Sequence, residues 1–316
     1  MVNLKSTIKG TLLEHFYPEG WDFDRIEKCV GSPETILERQ PYWHQDFAPV
    51  LCDGMSDFEV KMGHEIALQI QRTADLGQKI ALILPAGPMG MYRWTAYFLN
   101  EWNTDCSHVW TFNMDEYADA EGNTMTGDCS ASFEYAMTNQ FFNRIRGAGI
   151  PKGQRNFATK ENLPTYETKI AALKKEGAKL VLVYGIGRVC HIAFWEPTFA
   201  AEFPTDEEWS KVPYRLGARL HPLTVEQNAI TSFKSRTTLV PATANTCGPA
   251  ILFAADYAIG GCDGIFSRGM QWQGMSLWMT LRYGKTRWVP STYVPTIPGK
   301  LFFHKDLAGP LVPECN

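Results

Sequence analysis

The chain has 316 residues, 45% hydrophobic and 20% charged, which places it among ordinary globular proteins and excludes disordered and fibrous compositions. A formal net charge of -4 supplies no basic surface of the kind that binding a phosphate backbone needs, so nucleic acid is not an expected partner. The opening residues lack the apolar run of a signal peptide, and no later stretch approaches the ~18 uninterrupted apolar residues of a membrane span, so a cytoplasmic protein without a membrane partner is expected.

Residues 1–55 are rich in aromatics and prolines (Phe16, Tyr17, Trp21, Pro41, Trp43, Phe47) without sustained periodicity. They predict an irregular arm packed on a single α/β domain over 56–316. From Phe58 onward Val60, Ala67, Ile70 and Ala74 recur at helical spacing until Gly77 stops the run. Residues 80–84 then read as a buried strand, 85–90 as a loop and 91–102 as a helix. The alternation continues with a strand over 108–113, a helix over 131–142, an amphipathic helix over 166–176 closed by Gly177, and a buried strand over 179–184. Further strand candidates lie at 239–242, 264–267 and 287–289, with helices near 248–258 and 271–282. Apolar strands alternating with helices imply a doubly wound, mainly parallel, Rossmann-like sheet with helices on both faces. Ligands bind such sheets beyond the carboxyl ends of the strands, so the loops at 85–90, 113–117 and 185–196 should converge on one crevice.

Those loops hold the candidate chemistry. Ala86, Gly87, Pro88 and Met89 could turn backbone N–H groups toward an anion at a helix N-terminus, although the segment has neither lysine nor hydroxyl and Pro88 has no N–H to give. A plain strand-to-helix turn is the simpler alternative. Asp115 and Glu116 end a buried strand, where exclusion of water moves carboxyl pKa values toward neutrality and suits proton transfer at carbon. The simpler reading makes Asp115 a helix cap and turns Glu116 to solvent. The segment Gly185-Ile186-Gly187-Arg188-Val189-Cys190-His191 sets His191 five residues before Glu196, as a proton shuttle or as a structural histidine. Trp195, Trp272 and Trp278 could stack on sugar faces or belong to the core. Eight scattered cysteines form no metal or disulfide pattern, and Cys190 is adjacent to His191 only in sequence.

Phe112-Asn113-Met114-Asp115-Glu116-Tyr117 and His191-Ile192-Ala193-Phe194-Trp195-Glu196-Pro197 together resemble the glucosamine-6-phosphate deaminase/isomerase family, with its patterns F-N-M-D-E-Y and G-H-I-A-F-N-E-P. Weaker similarity runs from about residue 58 to the Pro290-Ser291-Thr292 region. The resemblance implies a fold of that type and an aldose–ketose isomerase or amino-sugar deaminase acting on a small-molecule sugar or sugar phosphate. It implies no metal and no organic cofactor, and often a homo-oligomer. It assigns proton transfer between C2 and C1 to Asp115 and ring opening to His191, with Glu116 and Glu196 as supporting carboxylates. Ala86, Gly87, Pro88, Met89, Gly185, Gly187, Arg188, Trp195, Arg268 and Trp272 are the expected substrate contacts.

The departures from the family pattern fall mainly on the phosphate site. The family's T-G-G-T-P loop stands here as Ala86-Gly87-Pro88-Met89-Gly90, its arginine falls at Val225 and its lysine near Trp272. Arg188 or Arg268 is then needed to compensate. The aspartate that orients the family's histidine falls at Val189 and the adjacent asparagine at Arg188, leaving the orienting role to Glu196. Two alternatives follow. One is a sugar lactonase of the 6-phosphogluconolactonase type, similar in fold and also reliant on a histidine; the other is a non-catalytic sugar-binding protein.

Overall fold

The computed structural model describes residues 4–266 and 269–308. Numbered in chain order, its strands are β1 (Phe47–Cys52), β2 (Ile80–Leu84), β3 (Val109–Asn113), β4 (Asp115–Tyr117), β5 (Arg155–Asn156), β6 (Lys179–Gly185), β7 (Tyr214–Arg219), β8 (Thr243–Cys247), β9 (Tyr257–Cys262) and β10 (Gly299–His304). Seven of them form one sheet in the order β1-β10-β9-β6-β2-β3-β5, with every neighbouring pair parallel. The other three form a small antiparallel sheet, β4-β8-β7. The helices are α1 (Phe23–Cys29), α2 (Met55–Asp75), α3 (Gly90–Glu101), α4 (Phe133–Gln140), α5 (Tyr166–Lys175), α6 (Asp206–Ser210), α7 (Pro222–Ser232), α8 (Pro249–Leu252) and α9 (Gly274–Arg282).

The parallel sheet is apolar on both faces because alternate residues of each strand feed different cores. Along β2, Ile80, Leu82 and Leu84 pack with Phe58, Met62 and Ile66 of α2 and Tyr92 of α3. Ala81 and Ile83 point the other way, into a core shared with Ile170 of α5, Leu252 of α8 and Leu277 of α9. Helix α2 ends where expected, since Gly77 follows its last turn with φ 62°, a left-handed conformation that glycine adopts without steric cost.

Several expected elements are displaced. Phe47–Cys52, near the end of the supposedly irregular arm, form β1, the edge strand of the main sheet. Other described residues of the arm tie it to later segments: Trp21 Nε1 donates to Trp288 O (2.8 Å), Trp43 Nε1 to Leu281 O of α9 (3.1 Å), and the carbonyl of Phe16 meets Nε2 of His221, at the start of α7 (2.8 Å). The strand expected at 239–242 lies instead at Thr243–Cys247. Residues 287–289 pair with no strand among the described residues, because Pro290 opens a 3₁₀ helix, Pro290–Thr296. Only Ile265 of 264–267 makes a bridge, to Gln271, and Ser267 lies outside the described residues. The helix expected at 248–258 stops at Leu252 and gives way to β9, whose apolar signal is diluted by Gly260 and Gly261. Both glycines are packing solutions: a β-carbon at 260 would fall 2.2 Å from the Tyr184 ring, and one at 261 would meet Met62 Sδ at 2.7 Å.

Candidate active site

The carboxyl ends of β2, β3, β6 and β9 open on one cavity of about 300 Å³, at the small end of the range for ligand pockets (~300–1,000 Å³) and suited to a monosaccharide. The loop after β2 contributes Ala86, Gly87, Pro88 and Met89. Asp115 enters from β4, Gly185, Gly187 and His191 from the segment after β6, and Gly261 and Asp263 from β9 and its end. Gln227, Asn228, Thr231 and Ser232 of α7 and Trp272 close the rim.

Asp115 sits where the chain passes from one sheet to the other. Met114 makes the joint, donating its N–H to Leu84 O (2.9 Å) while its carbonyl accepts from Cys247 N (2.7 Å). Asp115 is 7% exposed and lines the cavity, and its carboxyl group has no hydrogen-bond partner among the described residues. Burial, reinforced by the neighbouring Glu116 carboxylate, pushes its pKa well above the usual range. Glu116 points the opposite way, as strand alternation requires. It accepts from the N–H groups of Tyr117, Phe133 and Glu134, each at 3.0 Å, so it binds β4 to the start of α4. Burial raises its pKa to about 7 against the opposing pull of those three donors. The capping carboxylate is therefore Glu116, and Asp115 is the one left free; Glu116 does not line the cavity.

His191 is fixed from behind. Its Nδ1 lies 3.2 Å from Glu196 Oε2 and 3.1 Å from Thr224 Oγ1, while Glu196 Oε1 accepts from His221 N–H at 3.0 Å. A carboxylate can only accept, so Nδ1 carries a proton toward Glu196 and Nε2 lies on the opposite side of the ring. Glu196 is completely buried. Burial would raise its pKa, but the charge of His191 and hydrogen bonds from His191, Thr224 and the His221 N–H outweigh that and lower it. The turn holds Cys190 at φ 65° and Ala193 at φ 56°, unfavourable for residues with a β-carbon. It is stabilised by Gly187 N–H to His191 O (3.0 Å) and Ser291 N–H to Cys190 O (3.0 Å). Gly187 has no space for a side chain, because a β-carbon there would lie 1.9 Å from His191 Nε2.

Of the residues expected from sequence, Asp115, His191, Ala86, Gly87, Pro88, Met89, Gly185, Gly187 and Trp272 line the cavity, and Glu196 stands behind His191. Trp195 does not: it is fully buried against Phe199 and Trp209, with Arg215 over its ring, because its place in the turn faces the core. Trp278 is likewise core. Arg188 contributes only its backbone N–H, to Gln227 Oε1 (2.7 Å), and Arg268 lies outside the described residues. Val189 and Val225 pack in apolar clusters. Cys190 Sγ touches Met279 Sδ (3.7 Å) in the core, where burial pushes its thiol pKa far up, so it is no nucleophile. Sequence reading missed Thr224, the polar face of α7 and Asp263. The only available signal for α7 was the polar repeat Gln227, Asn228, Thr231 and Ser232; for Asp263 there was none.

No family model matches the chain. Over 152 residues, 46% of this chain, the sequence is 34% identical to a glucosamine-6-phosphate deaminase of Caenorhabditis elegans, covering 52% of that protein. The chain thus spans about half to two thirds of the length of the curated relatives it matches. In structure it is similar to a monomeric glucosamine-6-phosphate deaminase, with a TM-score of 0.66 and 19% identity over 82% of this chain and 98% of that one. It is also similar to the 6-phosphogluconolactonase of Thermotoga maritima, with a TM-score of 0.55 and 15% identity over 82% and 99%.

Proposed function

Since the chain is a divergent member of the glucosamine-6-phosphate deaminase family, we propose that its cavity catalyses aldose–ketose isomerisation or amino-sugar deamination. The observation that carries this reading is the pairing of an unpartnered, buried Asp115 carboxyl with an oriented His191 in one monosaccharide-sized space. His191 Nε2 takes the proton of the anomeric hydroxyl, and the imidazolium, held by Glu196, returns a proton to the ring oxygen as the ring opens. Asp115 removes the proton from C2 of the open aldehyde and delivers it to C1, while O1 gains a proton and the hydroxyl or amine on C2 loses one. With a hydroxyl at C2 the product is the ketose; with an amine it is a ketimine, which water hydrolyses to ketose and ammonia. Glu196 and Thr224 replace the orienting aspartate lost at Val189. A cytoplasmic location and assembly into a homo-oligomer complete the proposal.

The test is exchange of the C2 proton of free and phosphorylated hexoses and hexosamines in deuterated water, followed by NMR alongside ketose and ammonia assays. Asp115→Asn should lower the rate by ~10²–10⁴-fold while leaving sugar binding in place. Burial places Asp115 above the usual carboxylate range, so its base form grows, and the rate should rise, as pH climbs through that elevated pKa. No exchange in any sugar would sink the proposal. The lactonase alternative draws support from the same His191–Glu196 pair, the arrangement by which a histidine activates water as a general base. Lactone hydrolysis that survives Asp115→Asn but not His191→Ala would favour it.

A further inference from the structure

The described lining of the cavity has a charge opposite to that needed for a phosphate. Among the described lining residues there is no lysine or arginine, and the ionisable groups are Asp115, His191 and Asp263. Asp263 follows β9 by one residue and is two residues beyond Gly261, whose Cα abuts Pro88 and α2. Its carboxyl takes no hydrogen bond from any other described residue, and burial together with the nearby Glu59 raises its pKa to about 6. Glu59 approaches from α2: a β-carbon on Gly90 would lie 2.0 Å from its Oε1, so this carboxylate rests against the first residue of α3 and is held there by Arg93. The start of α3, where an incoming anion would gain most from the helix dipole, therefore already has a resident anion. Pro88 removes one N–H from the loop, and no side chain caps α3. A phosphate placed here would meet the Asp263 carboxylate, with the Glu59 carboxylate nearby already paired to Arg93, and no lysine or arginine among the described lining residues.

We propose that Asp263 is the specificity-determining residue of this site, accepting a hydrogen bond from a hydroxyl or ammonium group at the end of the sugar remote from the reacting carbons and rejecting a phosphate there. The inference rests on the proposed sugar chemistry for the identity of its ligand, but it is a claim about binding, and binding can be read without turnover. Asp263 acts as an acceptor for a donor that only the substrate provides, and like-charge repulsion excludes the phosphorylated analogue.

The experiment is titration calorimetry at pH 7.5 with glucosamine, glucose and their 6-phosphates on the wild type, Asp263→Asn and Asp115→Asn. The wild type should bind at least one free sugar more tightly than its 6-phosphate. Asp263→Asn keeps shape and volume but removes the charge, and should shrink that preference about tenfold or more, partly by weakening the free sugar and partly by admitting the phosphate. Asp115→Asn should retain the wild-type preference, which separates the two claims. Preference without C2 exchange would sink the proposed reaction and leave this inference standing. Preference for the 6-phosphate, a preference unmoved by Asp263→Asn, or no binding of any of the four sugars would overturn it. Similar melting temperatures for the three proteins confirm that the comparison is made on folded enzyme.

Discussion

The two ends of the cavity are built from the same kind of loop on the same sheet, yet their polar groups are treated in opposite ways. Behind His191, nearly every hydrogen-bonding atom is committed: Glu196 uses both oxygens, Thr224 meets Nδ1, and His221 is anchored to the arm through Phe16. Around the loop after β2, Asp263 lacks a partner on any other described residue, and Glu59 is held by a single arginine at a rim. A group that must present one lone pair in one direction needs several donors and acceptors to fix it. A group that must be satisfied by substrate is left unsatisfied until substrate arrives, at a cost in stability. The position of strain follows the same division, since Cys190 and Ala193 hold unfavourable backbone conformations in the His191 turn.

The comparison can be broken most severely at Glu196. Glu196→Ala strips a buried hydrogen-bonded pair of its acceptor and should cost ~3–5 kcal/mol in urea unfolding at pH 7, as well as activity. A loss below ~1 kcal/mol would show that the His191 end is less tightly built than its geometry implies. Gly187→Ala should displace the imidazole and reduce turnover about 10²-fold with little change in melting temperature. Unchanged turnover would mean that His191 Nε2 takes no part in the reaction.

Glu116 gives a pH-dependent effect. Its folded pKa is raised from the ordinary 4.5 to about 7, so its contribution to stability is fully present below about pH 4.5 and is lost as pH rises to about 7. Glu116→Gln should remove about 1–3 kcal/mol of that decline, seen by comparing urea midpoints at pH 4.5 and 7.5 in both proteins. An identical decline in the variant would place the titration elsewhere. The smallest effect is expected at Gly87→Ala, since a β-carbon at Gly87 meets nothing within 4 Å. Its KM and kcat should stay within about twofold of the wild type, and a larger change would show that the loop moves onto the substrate.

The legibility of this protein follows from how local each signal is. The strands at 80–84 and 179–184 and the helices at 91–102 and 166–176 carry their apolar pattern within their own residues, and they lie within a residue or so of where the pattern put them. The strand β9 was hidden because its glycines are explained by Tyr184, Met62 and Phe58, which are distant in sequence. The convergence of the three loops, and the candidacy of Asp115 and His191, could be read from the rule that strands of a parallel sheet end on the same edge. Sequence could not decide which of two adjacent carboxylates faces the ligand, since Asp115 and Glu116 differ only in the side of β4 from which they leave. Nor could it show that Trp195 turns into the core, that Thr224 reaches His191, or that Asp263 and Glu59 occupy the anion-binding end. These are mostly contacts between segments distant in the chain, 33 residues apart for Thr224 and His191 and about 200 for Asp263 and Glu59, fixed by how helices pack across the sheet, whereas periodicity and motif spacing report only on neighbours in the chain.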